Sequence, residues 1–312
     1  MMMDQLFERV TALRNPSVLG LDTKIEYLPE DLQKEFDPEA PFESAAEMIF
    51  EFNRKIIDAV CDIVGCIKLQ SAYYEMYGPA GLKTFERTAR YAKNKGMLVI
   101  ADAKRNDIGS TAEAYATAFL GETFFPDGVY RDAYGADMLT INGYLGVDGI
   151  QPFLYACKKY EKGIFVLVKT SNPSSGQLQD LKLEEGMTVY QKMGSLVAQW
   201  GEDQVGKYGY SAVGAVVGAT YPEQGEILRK QLKHTPFLLP GYGAQGATGA
   251  DLAKSFDKNG LGSVVNASRS LMCAYREEGY RGLEFYDAAR EAAIAMKEDI
   301  LKALEQAGRL NY

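Results

Sequence analysis

Residues 97–112 of this chain read MLVIADAKRNDIGSTA, an apolar run that changes abruptly into a cluster of charged residues. The first residues are typical of a buried strand, and Asp102, Lys104 and Asp107 follow where that strand should end. In parallel β/α barrels, catalytic side chains come from the carboxyl ends of the strands. The stretch therefore predicts one strand of a parallel sheet with a functional site at its end.

Apolar runs of strand length recur along the whole chain, and longer stretches with helical spacing separate them, which indicates a parallel sheet. The predicted strands are 17–22, 63–69, 97–103, 136–141, 163–168, 213–217, 236–239 and 263–267, and the predicted helices are 44–60, 82–94, 188–207, 224–231, 249–255 and 282–307. Because a closed barrel requires eight strands, we predict an α/β fold, a (β/α)8 TIM barrel, with residues 1–312 as a single domain.

Three inserts interrupt the regular alternation, at residues 26–42, 121–135 and 172–186. Long loops on barrels usually elaborate the active face or a subunit contact. The third insert directly follows a predicted strand, so we predict that it forms a flap.

A net charge of −8 and a pI near 5.0 describe an acidic chain. Charge of this sign opposes binding to nucleic acid and to anionic membranes, and no apolar run is long enough to span a bilayer. The first ten residues do not resemble a secretory signal, and the four cysteines lack C-x-x-C spacing, so we expect a cytoplasmic protein with buried free thiols. The single histidine, His234, excludes a two-histidine metal site and is expected in a surface turn.

Asp102 and Lys104 lie two residues apart, which places them on one face of a regular strand, withdrawn from bulk water. Burying ions is costly, so the pair indicates function, although a structural ion pair at the barrel mouth is an alternative. Lys68 ends the preceding strand, and with Asp107 it completes an expected set of alternating charges. Because carboxylates favour the ionised amine, Lys104 would act as an acid rather than as a Schiff-base nucleophile.

Asp22 ends the first predicted strand, at the same rim as Lys68. Contact with a ligand hydroxyl and an N-cap for the next helix are both open for this residue, and its place beside Lys68 favours the ligand contact. Two further rim segments, KTSNPSSG at residues 169–176 and TINGYLG at residues 140–146, offer hydroxyls and amides for a planar heterocycle or form ordinary turns.

Glycine-rich and basic segments follow the last two predicted strands: PGYGAQGATG at residues 240–249 and NASRS at residues 266–270. The loops after these strands form the common phosphate site of TIM barrels, where Arg269 can grip an anion and Gln245 can add a donor. A surface ion pair is the alternative for Arg269. The glycines also spell G-x-G-x-x-G, but the acidic residue that a nicotinamide site needs at the end of the next strand is missing, since that strand ends in Asn266.

The charged cluster as a whole matches a specific motif. D-x-K-x-x-D-I is present as Asp102, Lys104, Asp107 and Ile108, with Thr111 at a further fixed spacing. In this respect the chain resembles the orotidine 5′-monophosphate decarboxylase family, in its longer bacterial-type subgroup. One departure is Gly143 after Asn142, where that subgroup usually has proline.

The resemblance implies a role for each matching residue. The implied catalytic residues are Lys68, Asp102, Lys104 and Asp107. The implied substrate-binding residues are Asp22 for ribose hydroxyls, Ser171 for the pyrimidine, Gln245 and Arg269 for the phosphate, Ser268, and finally Ile108 and Thr111. It further implies a homodimer in which Asp107, Ile108 and Thr111 are supplied to the neighbouring subunit's site.

The implied reaction converts orotidine 5′-monophosphate into uridine 5′-monophosphate without a metal or a cofactor. Lys104 would stabilise and protonate the C6 carbanion, while Asp102 faces the departing carboxylate. The nearest rival is a Mg²⁺-dependent sugar-phosphate decarboxylase or aldolase on the same barrel, which uses a carboxylate near the second strand where this chain has Lys68. A non-catalytic phosphate-binding barrel and a nicotinamide oxidoreductase are the alternatives from other classes.

Overall fold

The computed structural model describes residues 1–243 and 246–312. Eight parallel strands close into a barrel in the order β1-β10-β9-β8-β7-β6-β3-β2. They are β1 (Ser17–Leu21), β2 (Cys66–Gln70), β3 (Leu98–Arg105), β6 (Met138–Ile141), β7 (Gly163–Lys169), β8 (Val213–Val217), β9 (Phe237–Pro240) and β10 (Ser263–Ala267), while β4 (Thr123–Phe124) and β5 (Tyr130–Arg131) form a separate hairpin. The predicted barrel is confirmed, and every predicted barrel strand is present with its ends shifted by at most three residues.

Helices surround the barrel. They are α1 (Met2–Leu13), α2 (Glu30–Gln33), α3 (Pro41–Val60), α4 (Ala72–Glu75), α5 (Gly78–Asn94), α6 (Gly109–Leu120), α7 (Val147–Tyr160), α8 (Gly176–Gln179), α9 (Val189–Trp200), α10 (Pro222–Gln231), α11 (Gly249–Leu252), α12 (Arg269–Met272) and α13 (Phe285–Gln306). The predicted helix 188–207 is too long, because α9 ends before Gly201, where a Cβ would lie 2.2 Å from the Ser211 hydroxyl. The predicted helix 249–255 is α11 followed by the 3₁₀ turn Ala253–Ser255.

The amino-terminal helix α1 closes one end of the barrel. Its apolar face, which includes Met3, Leu6 and Phe7, joins a buried cluster with inward-facing strand residues such as Ile100 and Phe165. A second and larger cluster lies between the strands and the outer helices. Because apolar side chains of α1 and of the strands fill the amino-terminal end of the barrel, the carboxyl ends of the strands are left to form a site.

The inserts take three different forms. Residues 26–42 contain α2, and residues 121–135 contain the β4–β5 hairpin. Residues 172–186 contain the 3₁₀ turn Pro173–Ser175 and α8, and the flap role of this segment stays a prediction. His234 lies exposed in a turn, where its Nδ1 is 2.8 Å from the Gly209 carbonyl oxygen, as predicted.

The four cysteines are free, as expected, although Cys61 is only half-buried. Within the described parts of the chain, no helix has the length and apolar content needed to cross a bilayer.

Candidate active site

A cavity of about 620 Å³ opens at the carboxyl end of the barrel. Seven of the residues singled out in the sequence line it: Asp22, Lys68, Asp102, Lys104, Ser171, Ser268 and Arg269. They come from the ends of different strands or from the residues that follow, so barrel closure brings together side chains that are far apart in the sequence.

Lys68 links two carboxylates. Its Nζ lies 3.0 Å from Oδ1 of Asp22 and 3.0 Å from Oδ2 of Asp102, and its side chain is only 3% exposed. Burial by itself would lower the pKa of Lys68, but the charges of Asp102 and Asp22 outweigh it and hold that pKa above the usual range. Lys68 is therefore a buried ammonium ion. Asp22 is its ion-pair partner and does not cap the next helical turn, whose N-cap is Lys24.

Four side chains hold Asp102. Its Oδ2 forms an ion pair with Lys68 and accepts a hydrogen bond from Gln70 Nε2, at 3.0 Å each. Its Oδ1 accepts hydrogen bonds from Lys104 Nζ at 2.7 Å and from the Thr140 hydroxyl at 2.8 Å. Burial opposes ionisation, yet Lys68 and Lys104 outweigh this effect and hold the pKa of Asp102 well below its usual range. The carboxylate is thus ionised and fixed in orientation.

Lys104 lies where the strand loses its regular form. The register between β3 and β6 shifts between Ala101 and Arg105, and Lys104 has the left-handed φ of 49°. Its side chain is 44% exposed. The expectation that the pair is withdrawn from water is therefore confirmed for Asp102 and wrong for Lys104, because the regular strand does not continue through residue 104. The irregularity turns the ammonium group towards the open cavity while its contact with Asp102 is kept.

Asp107, Ile108 and Thr111 do not line the cavity of their own chain. Asp107 accepts a hydrogen bond from the backbone N–H of Ile108, at 2.8 Å. Ile108 is 54% exposed, and Thr111 is exposed in the first turn of α6. Within one chain the charged cluster thus contains Asp22 as its second carboxylate, because the backbone turns away into α6 after Arg105. Supply of these three residues to a neighbouring subunit stays a prediction.

The predicted phosphate region forms another part of the cavity wall, after β10, which lies beside β1. Ser268 and Arg269 line it, at the start of α12, whereas Gln245 lies outside the described residues. Gly20 of β1 permits this packing, because a Cβ there would lie 2.0 Å from the Ser268 hydroxyl oxygen. The glycines of the G-x-G-x-x-G pattern, Gly241, Gly243 and Gly246, have φ values of 118°, 68° and 91°. They therefore allow a tight loop that residues with side chains would strain.

The segment that contains Ser171 is held by a buried lysine. Lys169 ends β7 and is fully buried, with its Nζ 2.8 Å from Oδ1 of Asp180 and 3.1 Å from the Ser175 hydroxyl. Its ammonium group also lies 4.7 Å from the ring centre of Tyr221. Lys169 lies at the start of the rim segment KTSNPSSG, and its sequence position alone gives no sign of this role. These contacts tie residues 172–186 to the end of the strand beside the cavity.

Sequence reasoning also missed Gln70 and Thr140 as partners of Asp102. Gln70 follows Lys68 by two residues on β2, and the two-residue period of a strand could have placed it on the same face. No local pattern reveals the contact of Thr140, because it depends on the shifted register between β3 and β6.

The site is rich in paired charges. In residues 1–243 and 246–312, no group of three or more histidine, cysteine or acidic side chains is arranged to hold a metal ion. Between the carboxylates of Asp22 and Asp102 lies the Lys68 ammonium group. The residues present are therefore suited to stabilising charge with fixed ammonium and carboxylate groups.

Comparisons with known proteins agree with this geometry. A family model described as the orotidine 5′-phosphate decarboxylase / HUMPS family matches residues 33–278. The orotidine 5′-phosphate decarboxylase of Clostridium acetobutylicum is 41% identical over 304 residues, which cover 97% of this chain and 100% of that protein. That of Rhodopirellula baltica is 44% identical over 294 residues, covering 92% and 95%. A solved structure of Leishmania donovani OMP decarboxylase is similar with a TM-score of 0.71 and 27% identity, covering 97% of this chain and 99% of the other.

Proposed function

This chain belongs to the orotidine 5′-phosphate decarboxylase family, and we infer that it converts orotidine 5′-monophosphate into uridine 5′-monophosphate, the final step of de novo pyrimidine nucleotide synthesis. The observation that carries the proposal within the chain is the ammonium group of Lys104, held 2.7 Å from Asp102 and exposed to the cavity. It offers a proton at the mouth of the barrel, next to the ion pairs that Lys68 forms with Asp22 and Asp102.

In the proposed reaction, the bond between C6 and the carboxylate breaks, carbon dioxide leaves, and the electron pair stays on C6. Lys104 stabilises this carbanion and transfers a proton to it. Asp102 faces the departing carboxylate, where two like charges about 4 Å apart repel by roughly 4 kcal/mol at an effective dielectric near 20. The larger contribution comes from charges that are fixed before the reaction begins, because the site does not have to reorganise as charge develops on C6.

The rest of the nucleotide is proposed to bind along the cavity wall. Arg269 and Ser268 lie at one side and suit the phosphate, together with Gln245. Asp22 suits the ribose hydroxyls, and Ser171 suits the pyrimidine ring. The binding energy of the phosphate can then be used to order the site around the reacting carbon.

We propose that two copies of the chain complete each other's sites with Asp107, Ile108 and Thr111. Two observations support this: these residues do not line their own cavity, and a side cavity of about 370 Å³ beside Lys104 leaves room for a partner's side chains. The test is complementation between two inactive variants, Lys104→Ala and Asp107→Asn. In a two-fold symmetric dimer, one site of each mixed dimer keeps both residues, so about a quarter of wild-type activity should return on mixing and exchange. No recovery, with exchange verified, contradicts a shared site.

The whole chain, residues 1–312, is proposed to act as one cytoplasmic decarboxylase domain that needs no metal. This separates it from the Mg²⁺-dependent rival, because Lys68 lies where that rival holds its metal-binding carboxylate. Activity on the nucleotide that persists after treatment with EDTA is expected. Activity that EDTA abolishes and Mg²⁺ restores favours the rival.

The decisive experiment follows the loss of ultraviolet absorbance of orotidine 5′-monophosphate with the wild type and with Lys104→Ala. The matched control is Lys302→Ala, which removes an exposed lysine of α13 on the outside of the barrel. We expect turnover by the wild type and the control, and turnover reduced by several orders of magnitude in Lys104→Ala. A wild type without turnover refutes the proposed reaction, and a fully active Lys104→Ala variant refutes the proposed proton donor.

A further inference from the structure

Thr140 uses its hydroxyl as both donor and acceptor, on two residues of the active site at once. It lies in β6 with 1% of its surface exposed. Its Oγ1 donates to Oδ1 of Asp102 at 2.8 Å and accepts a hydrogen bond from the backbone N–H of Lys104 at 3.1 Å. A single buried hydroxyl thus joins the side chain of one proposed catalytic residue to the backbone of another.

The backbone around Lys104 explains why such a contact matters. Ala101 pairs with Leu139, but the next pair is Arg105 with Ile141, so β3 contains two more residues than β6 over this interval. Among these extra residues, Lys104 has a left-handed backbone φ, which residues other than glycine rarely adopt. A strained backbone conformation persists only where the surrounding contacts hold it. At Lys104, one such contact is the hydrogen bond from its backbone N–H to the Thr140 hydroxyl.

These contacts form a closed loop. The hydroxyl of Thr140 binds Asp102, Oδ1 of Asp102 binds the ammonium group of Lys104 at 2.7 Å, and the Lys104 backbone returns to Thr140. The other oxygen, Oδ2, is held separately by Lys68 and Gln70. Without the Thr140 hydroxyl, Oδ2 of Asp102 therefore keeps its contacts with Lys68 and Gln70. Oδ1 of Asp102 and the backbone N–H of Lys104, however, each lose a hydrogen bond, and these are the two groups that orient the Lys104 side chain.

We propose that Thr140 is a positioning residue for the decarboxylation, which fixes the Asp102 carboxylate and the strained Lys104 backbone so that the ammonium group points at the reacting carbon. The proposal rests on the proposed function. It concerns the chemical step and not the binding of the nucleotide, since Ser171 and Arg269 lie on other strand ends and do not depend on this loop.

The test compares Thr140→Val with Thr140→Ser in the full chain. Valine keeps the shape of threonine without the hydroxyl, whereas serine keeps the hydroxyl. In Thr140→Val, we expect kcat on orotidine 5′-monophosphate to fall roughly 10- to 100-fold, the loss that follows from a misplaced reacting group, with KM and the affinity for uridine 5′-monophosphate nearly unchanged. Thr140→Ser should keep kcat within about threefold of the wild type because it restores both hydrogen bonds. Wild-type kcat in Thr140→Val overturns the proposal, and so does an equal loss of kcat and nucleotide affinity in both variants, which indicates a general structural role.

Hydrogen exchange of the peptide covering residues 102–106 supplies a readout that needs no substrate. Faster exchange in Thr140→Val than in the wild type and in Thr140→Ser is expected, because the Lys104 N–H loses its acceptor. Equal exchange in all three proteins overturns the proposal even if kcat changes. A wild type without turnover refutes the proposed function, and the exchange comparison then decides by itself whether Thr140 holds this segment.

Discussion

Asp102 and Lys104 are joined at 2.7 Å although the side chain of the aspartate is 10% exposed and that of the lysine is 44% exposed. A buried carboxylate thus anchors a cation that reaches into an open cavity. The anchor is itself ionised, because Lys68 is paired with it from the buried side at 3.0 Å. The arrangement holds the proposed proton donor in place before any substrate arrives, which would lower the reorganisation that the proposed reaction requires.

Lys68 should be essential for stability as well as for activity. Lys68→Met leaves the carboxylates of Asp22 and Asp102 without their buried partner, and breaking a buried pair in this way typically costs about 3–5 kcal/mol. Urea denaturation measures this loss. The double variant Lys68→Met/Asp102→Asn should recover part of it because one unpaired charge is removed. A single variant as stable as the wild type contradicts the prediction.

The acid stability of the protein should depend on Asp102. Its pKa in the folded state lies well below the usual value of 3.8, since Lys68 and Lys104 outweigh the effect of burial. The unfolded chain therefore takes up this proton first as the pH falls, so the stabilisation is present above pH 3.8 and is lost below it. Between about pH 5 and pH 3, the free energy of unfolding of the wild type should fall more than that of Asp102→Asn, by on the order of 1–2 kcal/mol. If the urea midpoints of the wild type and of Asp102→Asn change equally over this pH range, the lowered pKa of Asp102 is contradicted.

Arg269→Ala should weaken both binding and turnover of the nucleotide. A hydrogen bond to a charged group contributes about 1.5–3 kcal/mol, or roughly a 10- to 150-fold change in kcat/KM. Orotidine, which lacks the phosphate, is the matched control, and the wild type and the variant should process it at similar rates. Unchanged kinetics on the phosphorylated substrate remove Arg269 from the proposed phosphate site.

Lys169 should keep the segment of residues 172–186 in its folded conformation. Lys169→Met removes the buried partner of Asp180 and of the Ser175 hydroxyl, so this segment should become more susceptible to limited proteolysis, and KM should rise because Ser171 lies beside it. Lys182→Met, which changes an exposed lysine of the same segment, is the control. Equal cleavage rates in the two variants contradict the prediction that the contacts of Lys169 hold this segment in place.

Thiol reagents should distinguish the four cysteines. Burial raises the pKa of Cys157 to about 12 and that of Cys66 well above its usual value, so neither forms a thiolate near pH 8 in the folded protein. Half-buried Cys61 should supply the single fast-reacting thiol. Cys61→Ser should abolish the fast phase, and full reactivity should return in denaturant. A fast phase of more than one thiol in the folded wild type disagrees with the observed burial.

The positions of the barrel strands followed from the sequence because they depend on local patterns. Apolar runs such as residues 213–217 and 263–267 are recognisable without knowledge of their neighbours, and both became strands with the predicted ends. The pairing of Lys68 with Asp102 was also predictable, since parallel strands place their carboxyl ends at one rim. Helices α1, α6 and α7 were not among the predicted helices, and of these only α6 lacks a clear division between an apolar and a polar face.

The contacts within the site depend on strand register and barrel closure, which local sequence patterns do not contain. Thr140 meets Asp102 and Lys104 across the shifted pair of β3 and β6, at sequence separations of 38 and 36 residues. Asp22, which directly follows β1, meets Lys68 of the neighbouring strand at a separation of 46 residues. The exposure of Lys104 likewise comes from an irregularity in β3 that the neighbouring residues in the sequence do not predict. Local sequence determines backbone period and burial, whereas the direction of a charged side chain in a site depends on which distant strand lies beside it.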